Sequence, residues 1–140
     1  MIVSRFFGNL RSLCLALALA AAPAPDAAAA PPKPKLILKA SPTYGTASTL
    51  FIFQAILTGG EDTEDFYCLS TEWVWEEQLD SSINEAECAP YKAGETRIDR
   101  SFSEEQSFRT PGSHLVKVIL RKGEKQIASA SITVKIRETP

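Results

Sequence analysis

The chain has 140 residues, of which 15 are Lys or Arg and 17 are Asp or Glu, and its formal net charge is −2. Hydrophobic residues make up 44% of the sequence, which excludes a disordered chain and suits one globular domain. The near balance of charge, without a basic stripe, excludes a nucleic-acid-binding protein.

The chain begins with a basic and then apolar segment. Arg5 and Arg11 precede an apolar run from Leu13 to Ala22, after which small residues follow. This order is typical of a secretory signal peptide. The run is about half of the roughly 20 residues that a spanning helix needs, so a retained membrane anchor is the less favoured alternative. We predict a signal peptide over residues 1–24, cut near residues 20–24, and a secreted or periplasmic protein without membrane insertion after cleavage.

An Ala/Pro-rich segment follows at residues 25–35, where the composition predicts an extended spacer. The remaining residues, 36–137, are enough for one small β-sandwich with a single core.

Export determines how the cysteines are interpreted. Cys14 is removed with the signal peptide, and Cys68 and Cys88 remain in a compartment where disulfides persist. We therefore predict a Cys68–Cys88 disulfide, with two free thiols as the alternative. A zinc-type site would need more thiol or imidazole ligands than the chain has.

The first half of the predicted domain is rich in strand-forming residues. "KLILKA" predicts a strand and "SPTYGT" a turn, and "TLFIFQAIL" predicts a second strand that is apolar on both faces. Such a strand is expected to be covered on both sides, by its own chain or by a partner. "TGGEDTED" predicts a loop, "FYCLSTEWVWE" a third strand, and Glu77 to Gly94 a polar excursion.

The second half continues the strand pattern. "ETRIDRSF" predicts a short strand, "SEEQSFRTPG" a corner, and the segment from Ser113 to Ile136 a hairpin that turns at Lys122-Gly123-Glu124. No sustained helical period appears, so we predict an all-β fold: an antiparallel two-sheet sandwich of about seven strands. Its predicted core residues are Phe53, Trp75, Val116, Val118, Leu120, Ile132 and Val134.

The closing half resembles the polycystic kidney disease (PKD) domain. From Phe108 to Leu120 an aromatic residue, a Pro-Gly corner and an alternating strand follow one another, with His114 at the position of the family's tyrosine. Phe53 and Ala55 are similar to the family's second strand, and Trp75 stands where the family has a signature tryptophan. The segment after Trp75 lacks the glycines of the family's turn, and the cysteine pair is outside the general pattern. The resemblance implies an extracellular immunoglobulin-like module that acts as a spacer or binding unit and is rarely catalytic.

His114 is the only histidine, and no nucleophile motif accompanies it. Its register places it with the inward valines of its strand, so we predict that it caps the core. We therefore predict no enzymatic activity.

Charge is distributed unevenly along the sequence. Ten acids and no Lys or Arg lie between Glu61 and Glu87, whereas bases outnumber acids from Tyr91 to Arg137. A solvated acidic face is the favoured interpretation, with a docking patch for a basic partner and a calcium site as alternatives. Calcium is the one cofactor that these acidic residues suggest. Its candidate ligands are Glu61, Asp62, Asp65, Glu76 and Asp80.

Trp73 and Trp75 share one face of their strand because side chains alternate along it. If both side chains were exposed, the pair would form a platform for binding. A tryptophan on the third strand of a sandwich typically packs in the core, so we predict that both tryptophans are buried. The predicted function is a non-catalytic secreted or periplasmic module whose partner is a protein or a cell-surface glycan. The alternative is a calcium-dependent or carbohydrate-binding module that uses the acidic residues between 61 and 80 and the two tryptophans.

Overall fold

The computed structural model describes residues 32–76, 80–84 and 87–139. The predicted signal peptide and residues 25–31 of the predicted spacer lie outside these ranges. The strands are β1 (Lys35–Ser41), β2 (Tyr44–Thr46), β3 (Phe51–Thr58), β4 (Ser70–Trp75), β5 (Asp80–Asn84), β6 (Ser101–Gln106), β7 (Gly112–Lys122) and β8 (Lys125–Arg137). Within the described ranges a single 3-10 turn, Glu64–Phe66, joins β3 to β4, and no helix is long and apolar enough to cross a membrane.

The strands form two sheets. The three-stranded sheet has the order β1-β3-β6, and the five-stranded sheet has the order β2-β8-β7-β4-β5. All neighbours are antiparallel except β2, which runs parallel to β8. In immunoglobulin nomenclature the orders are A-B-E and A′-G-F-C-C′. The predicted fold class, an all-β two-sheet sandwich, is confirmed.

Alternation along the strands builds the core between the sheets. On β3, Phe51, Phe53, Ala55 and Leu57 are buried, and they face the buried residues of β4 and β7. The centre is aromatic, because the Phe53 ring lies 5.5 Å from that of Trp75 and 6.3 Å from that of Phe108. Of the seven predicted core residues, Phe53, Trp75, Val116, Val118, Leu120 and Val134 are buried and Ile132 is half-buried.

Two strands arise where a turn and a loop were predicted. Tyr44–Thr46, within "SPTYGT", pairs with Lys135 to Arg137 of β8. Asp80–Asn84, within the predicted polar excursion, pairs with β4. Both strands lie at a sheet edge and are held by backbone hydrogen bonds. Because backbone pairing does not require apolar side chains, these strands show no apolar alternation in the sequence.

The sixth strand is displaced from its prediction. It covers Ser101–Gln106 and so includes residues assigned to a corner, whereas Glu95 to Arg100 lie outside it. Its inward side chains, Phe102, Glu104 and Gln106, are only half-buried because β6 lies at a sheet edge. Polar residues are tolerated at a sheet edge, so the alternation of apolar and polar residues that would mark β6 in the sequence is weak. The predicted hairpin is confirmed, with β7 and β8 joined at Gly123-Glu124.

Candidate interaction surface

His114 stands at the start of β7 and faces the core. Its side chain is 7% exposed, and its ring stacks on that of Phe108 with centroids 4.9 Å apart. Nε2 donates a hydrogen bond to the carbonyl oxygen of Thr110 at 2.6 Å. Immunoglobulin sandwiches place a tyrosine at this corner, whose hydroxyl bonds to the backbone a few residues upstream. The sole histidine therefore makes a structural bond of the same kind.

Cys68 and Cys88 form a disulfide with a Cα–Cα distance of 6.0 Å. It joins the chain just before β4 to the segment after β5. Tyr67 strengthens the same junction, because its hydroxyl donates to the carbonyl oxygen of Ala89 at 2.7 Å and its ring lies 5.6 Å from that of Tyr91. A disulfide of this kind is typical of proteins in an oxidising compartment.

Arg100 anchors the acidic loop between β3 and β4. Its Nε and Nη2 donate to Asp62 Oδ1 at 3.1 and 2.6 Å, and its Nη1 donates to the carbonyl oxygen of Gly59 at 2.7 Å. The guanidinium carbon also lies 5.7 Å from the centre of the Phe66 ring. One basic side chain therefore joins the loop to the segment that enters β6.

Of the five candidate calcium ligands, Glu61, Asp62 and Asp65 precede β4, whereas Glu76 and the backbone of Asp80 lie beyond its far end, a separation of about 17 Å for a strand of this length. The first three are therefore not brought together with Glu76. Glu76 Oε2 instead accepts a hydrogen bond from the backbone N–H of Leu115 at 2.5 Å. Among the residues whose side chains the structure describes, no three His, Cys, Asp or Glu are grouped to hold a metal ion.

The two tryptophans lie inside the sandwich. Trp73 is 0% and Trp75 is 4% exposed, and their rings stack with centroids 5.7 Å apart and an interplanar angle of 5°. Trp73 Nε1 is buried and has no hydrogen-bond partner in the described part of the chain. The pair is therefore a core element and does not form a platform.

A group of basic side chains lies on the outer face of the five-stranded sheet. We call this the basic face and define it by Lys117, Lys135 and Arg137, together with the neighbouring Ser113, Ser131, Thr133 and Tyr44. The register pairs Lys117 with Ser131 and Ser113 with Lys135. Tyr44 is 57% exposed, and the guanidinium carbon of Arg137 lies 5.0 Å from its ring centre.

Lys117, Lys135 and Arg137 have no ion-pair partner among the described residues. Two acids on this side, Glu72 of β4 and Glu76 just after it, are already engaged, because Glu72 accepts from Arg121 Nε at 2.9 Å and Glu76 accepts from the backbone of Leu115. An open depression of about 410 Å³ lies at one end of the face, and it is lined by Tyr44, Gly112, Ser113, Lys135, Ile136 and Arg137.

The sequence predicted a basic second half but not this face. The alternation of Lys117 with inward valines, and of Lys135 and Arg137 with Val134 and Ile136, was the available signal. Tyr44 joins the group through β2, whose pairing the sequence did not predict.

Comparisons of the chain with protein-family models, with curated proteins and with solved structures give no match.

Proposed function

We propose that the protein is a non-catalytic secreted or periplasmic module, of the PKD-like immunoglobulin class, that binds an anionic protein or glycan through its basic face. The observation that carries this proposal is the set of three cations on one exposed sheet face that form no ion pair with any residue the structure describes.

The location and the absence of catalysis have separate support. The order of basic, apolar and small residues at the start of the chain favours export, and the Cys68–Cys88 disulfide agrees with an oxidising destination. The only histidine is held by Thr110 and Phe108, which leaves no imidazole for acid–base work. The PKD-like class is supported by the motif from Phe108 to Leu120.

The spacing of the cations favours an extended ligand. The backbones of Lys135 and Arg137 are about 7 Å apart along β8, and those of Lys117 and Lys135 are about 14 Å apart. A chain with repeated negative charges can contact all three at once. The hydroxyls of Ser113, Ser131 and Thr133 lie on the same face, where they can donate to and accept from sugar or peptide groups.

The test is binding of the exported chain to immobilised dextran sulfate, polyglutamate and neutral dextran over a range of salt concentrations. We expect binding to an anionic polymer that weakens with salt, and none to neutral dextran. Preference for dextran sulfate would identify a glycan partner, and preference for polyglutamate a protein partner.

Variants locate the binding surface. The double substitution Lys117→Glu with Lys135→Glu should remove most of the binding, because it reverses two of the three charges. Lys92→Glu is the control, since Lys92 is an exposed cation that pairs with Glu95 outside this face. Equal binding by the double variant and the unchanged chain would refute the proposal.

A further inference from the structure

The outer face of the three-stranded sheet carries an apolar stripe, which we define by Ile37, Leu50, Ile52 and Ile56. Ile37 is 38%, Leu50 54% and Ile52 47% exposed, and Ile56 is half-buried. The register places Ile37 beside Ile56, and Ile52 lies four residues from Ile56 on the same face of β3, with Gln54 between them. The stripe therefore consists of two aliphatic groups on one sheet face, Ile37 with Ile56 and Leu50 with Ile52, on either side of Gln54.

Exposed aliphatic residues grouped on one sheet face indicate a docking surface, because burial of apolar area is the main favourable term in association. Apolar residues lie on both faces of β3, and no segment within the described part of the chain covers its outer face. The side chains around the stripe include Ser41, Ser101 and Ser103, which are small enough for another sheet to approach closely.

Charges of opposite sign flank the stripe. Lys39 lies on β1 beside Gln54, and Glu105 lies on β6 beside Ile52. Their backbones are about 12 Å apart, with β3 between them. Neither side chain has an ion-pair partner among the described residues. The outer face of β3 thus carries Ile52, Gln54 and Ile56, with the cations Lys35 and Lys39 on the β1 side and the anion Glu105 on the β6 side.

We propose that the occupant of this face is a second copy of the same chain. A twofold axis along β3 stacks the two sheets with Ile52 over Ile52. It also brings the Lys39 flank of each copy over the Glu105 flank of the other, so that the ion pair forms twice. An isologous interface requires such self-complementarity. A net charge of −2 opposes association only weakly.

The first test is sedimentation equilibrium of the exported chain over a wide concentration range. We expect a reversible monomer–dimer equilibrium, which Ile52→Asp abolishes by placing two carboxylates at the centre of the interface. Because Ile52 is half-exposed, this variant should keep its fold, and unchanged tryptophan emission would verify that. Leu115→Asp is the control, since Leu115 is equally exposed on the other sheet.

Charge exchange gives the sharper test. Lys39→Glu alone or Glu105→Lys alone places like charges together twice and should raise the dimer Kd about tenfold. The double variant should recover the original Kd, because it restores both pairs with their signs exchanged.

A chain that remains monomeric at every concentration, a dimer that survives Ile52→Asp, or a double variant no tighter than the singles would each overturn the proposal. This inference goes beyond the proposed function, and the two fail separately: the polymer-binding assay reports on the five-stranded sheet and the sedimentation assay on the three-stranded sheet.

Discussion

Nε2 of His114 lies 2.6 Å from the carbonyl oxygen of Thr110, so the first inward side chain of β7 holds the corner that precedes its own strand. The stacked ring of Phe108 lies between this bond and the aromatic core. The corner, the histidine and the core are therefore one packed unit.

The first prediction concerns this histidine. His114→Ala should lower the free energy of unfolding by about 2–3 kcal/mol, because a buried hydrogen bond and a stacked ring are both lost. His114→Tyr should retain most of the stability, since a tyrosine hydroxyl makes the corresponding bond in immunoglobulin sandwiches. Urea unfolding measures both. Equal losses for the two variants would contradict the corner role.

The second prediction uses the backbone of Cys68, whose φ is 57°. Replacing both cysteines by alanine should cost about 3 kcal/mol, the value expected for a closed loop of this length. The variant Cys68→Gly with Cys88→Ala should be more stable than the double alanine variant by about 1 kcal/mol, because glycine adopts positive φ without strain. Denaturant unfolding compares the two. A less stable glycine variant would show that the backbone relaxes once the disulfide is absent.

Substitutions at Arg100 and Asp62 should rank in a definite order. Arg100→Ala should cost more than Arg100→Lys, because lysine has a single donor group in place of the guanidinium fork. Asp62→Ala should cost least, at about 0–1 kcal/mol, because its side chain is 75% exposed and the bond from Arg100 to Gly59 remains. Thermal unfolding measures the order. A loss at Asp62 as large as that for Arg100→Ala would assign the stability to the ion pair.

The tryptophan pair gives a spectroscopic prediction. Native emission should be blue-shifted and resistant to iodide, since Trp73 and Trp75 are both buried. The same chain in concentrated denaturant supplies the exposed reference. Native emission that is already red and readily quenched would contradict the burial of the pair.

Calcium and chelator should give the same melting curve. The candidate ligands lie at opposite ends of β4, and Asp62 and Glu76 are already bonded to Arg100 and to the backbone of Leu115. Differential scanning fluorimetry in both conditions measures this. A higher melting temperature in calcium would revive the calcium-dependent alternative.

The sequence predicted best where burial produces alternation. β7 and β8 have one side against the core, so their apolar period is clear and their residues, such as Val118 and Val134, are buried as expected. β2, β5 and β6 are edge strands, and backbone pairing alone defines much of their extent. No local pattern encodes such pairing, which is why these three were missed or displaced.

The candidate functional residues divide in the same way, into those fixed by local sequence and those fixed by tertiary contacts. The disulfide and the role of His114 depend on residue type and register, which the sequence contains. The grouping of Tyr44 with Arg137, the engagement of Asp62 by Arg100 and the openness of Ile52 depend on which distant segments meet. Those contacts are decided by the folded topology.

The parallel pairing of β2 with β8 has a mechanical consequence. β1 starts beside the carbonyl of Pro32, which accepts from the Gly60 N–H, and β8 ends at Arg137 beside Thr46, at the opposite end of the sandwich. Tension applied between residues 32 and 137 therefore pulls β2 along β8. Their hydrogen bonds lie across the direction of pull and are loaded together in shear, so they do not open one at a time.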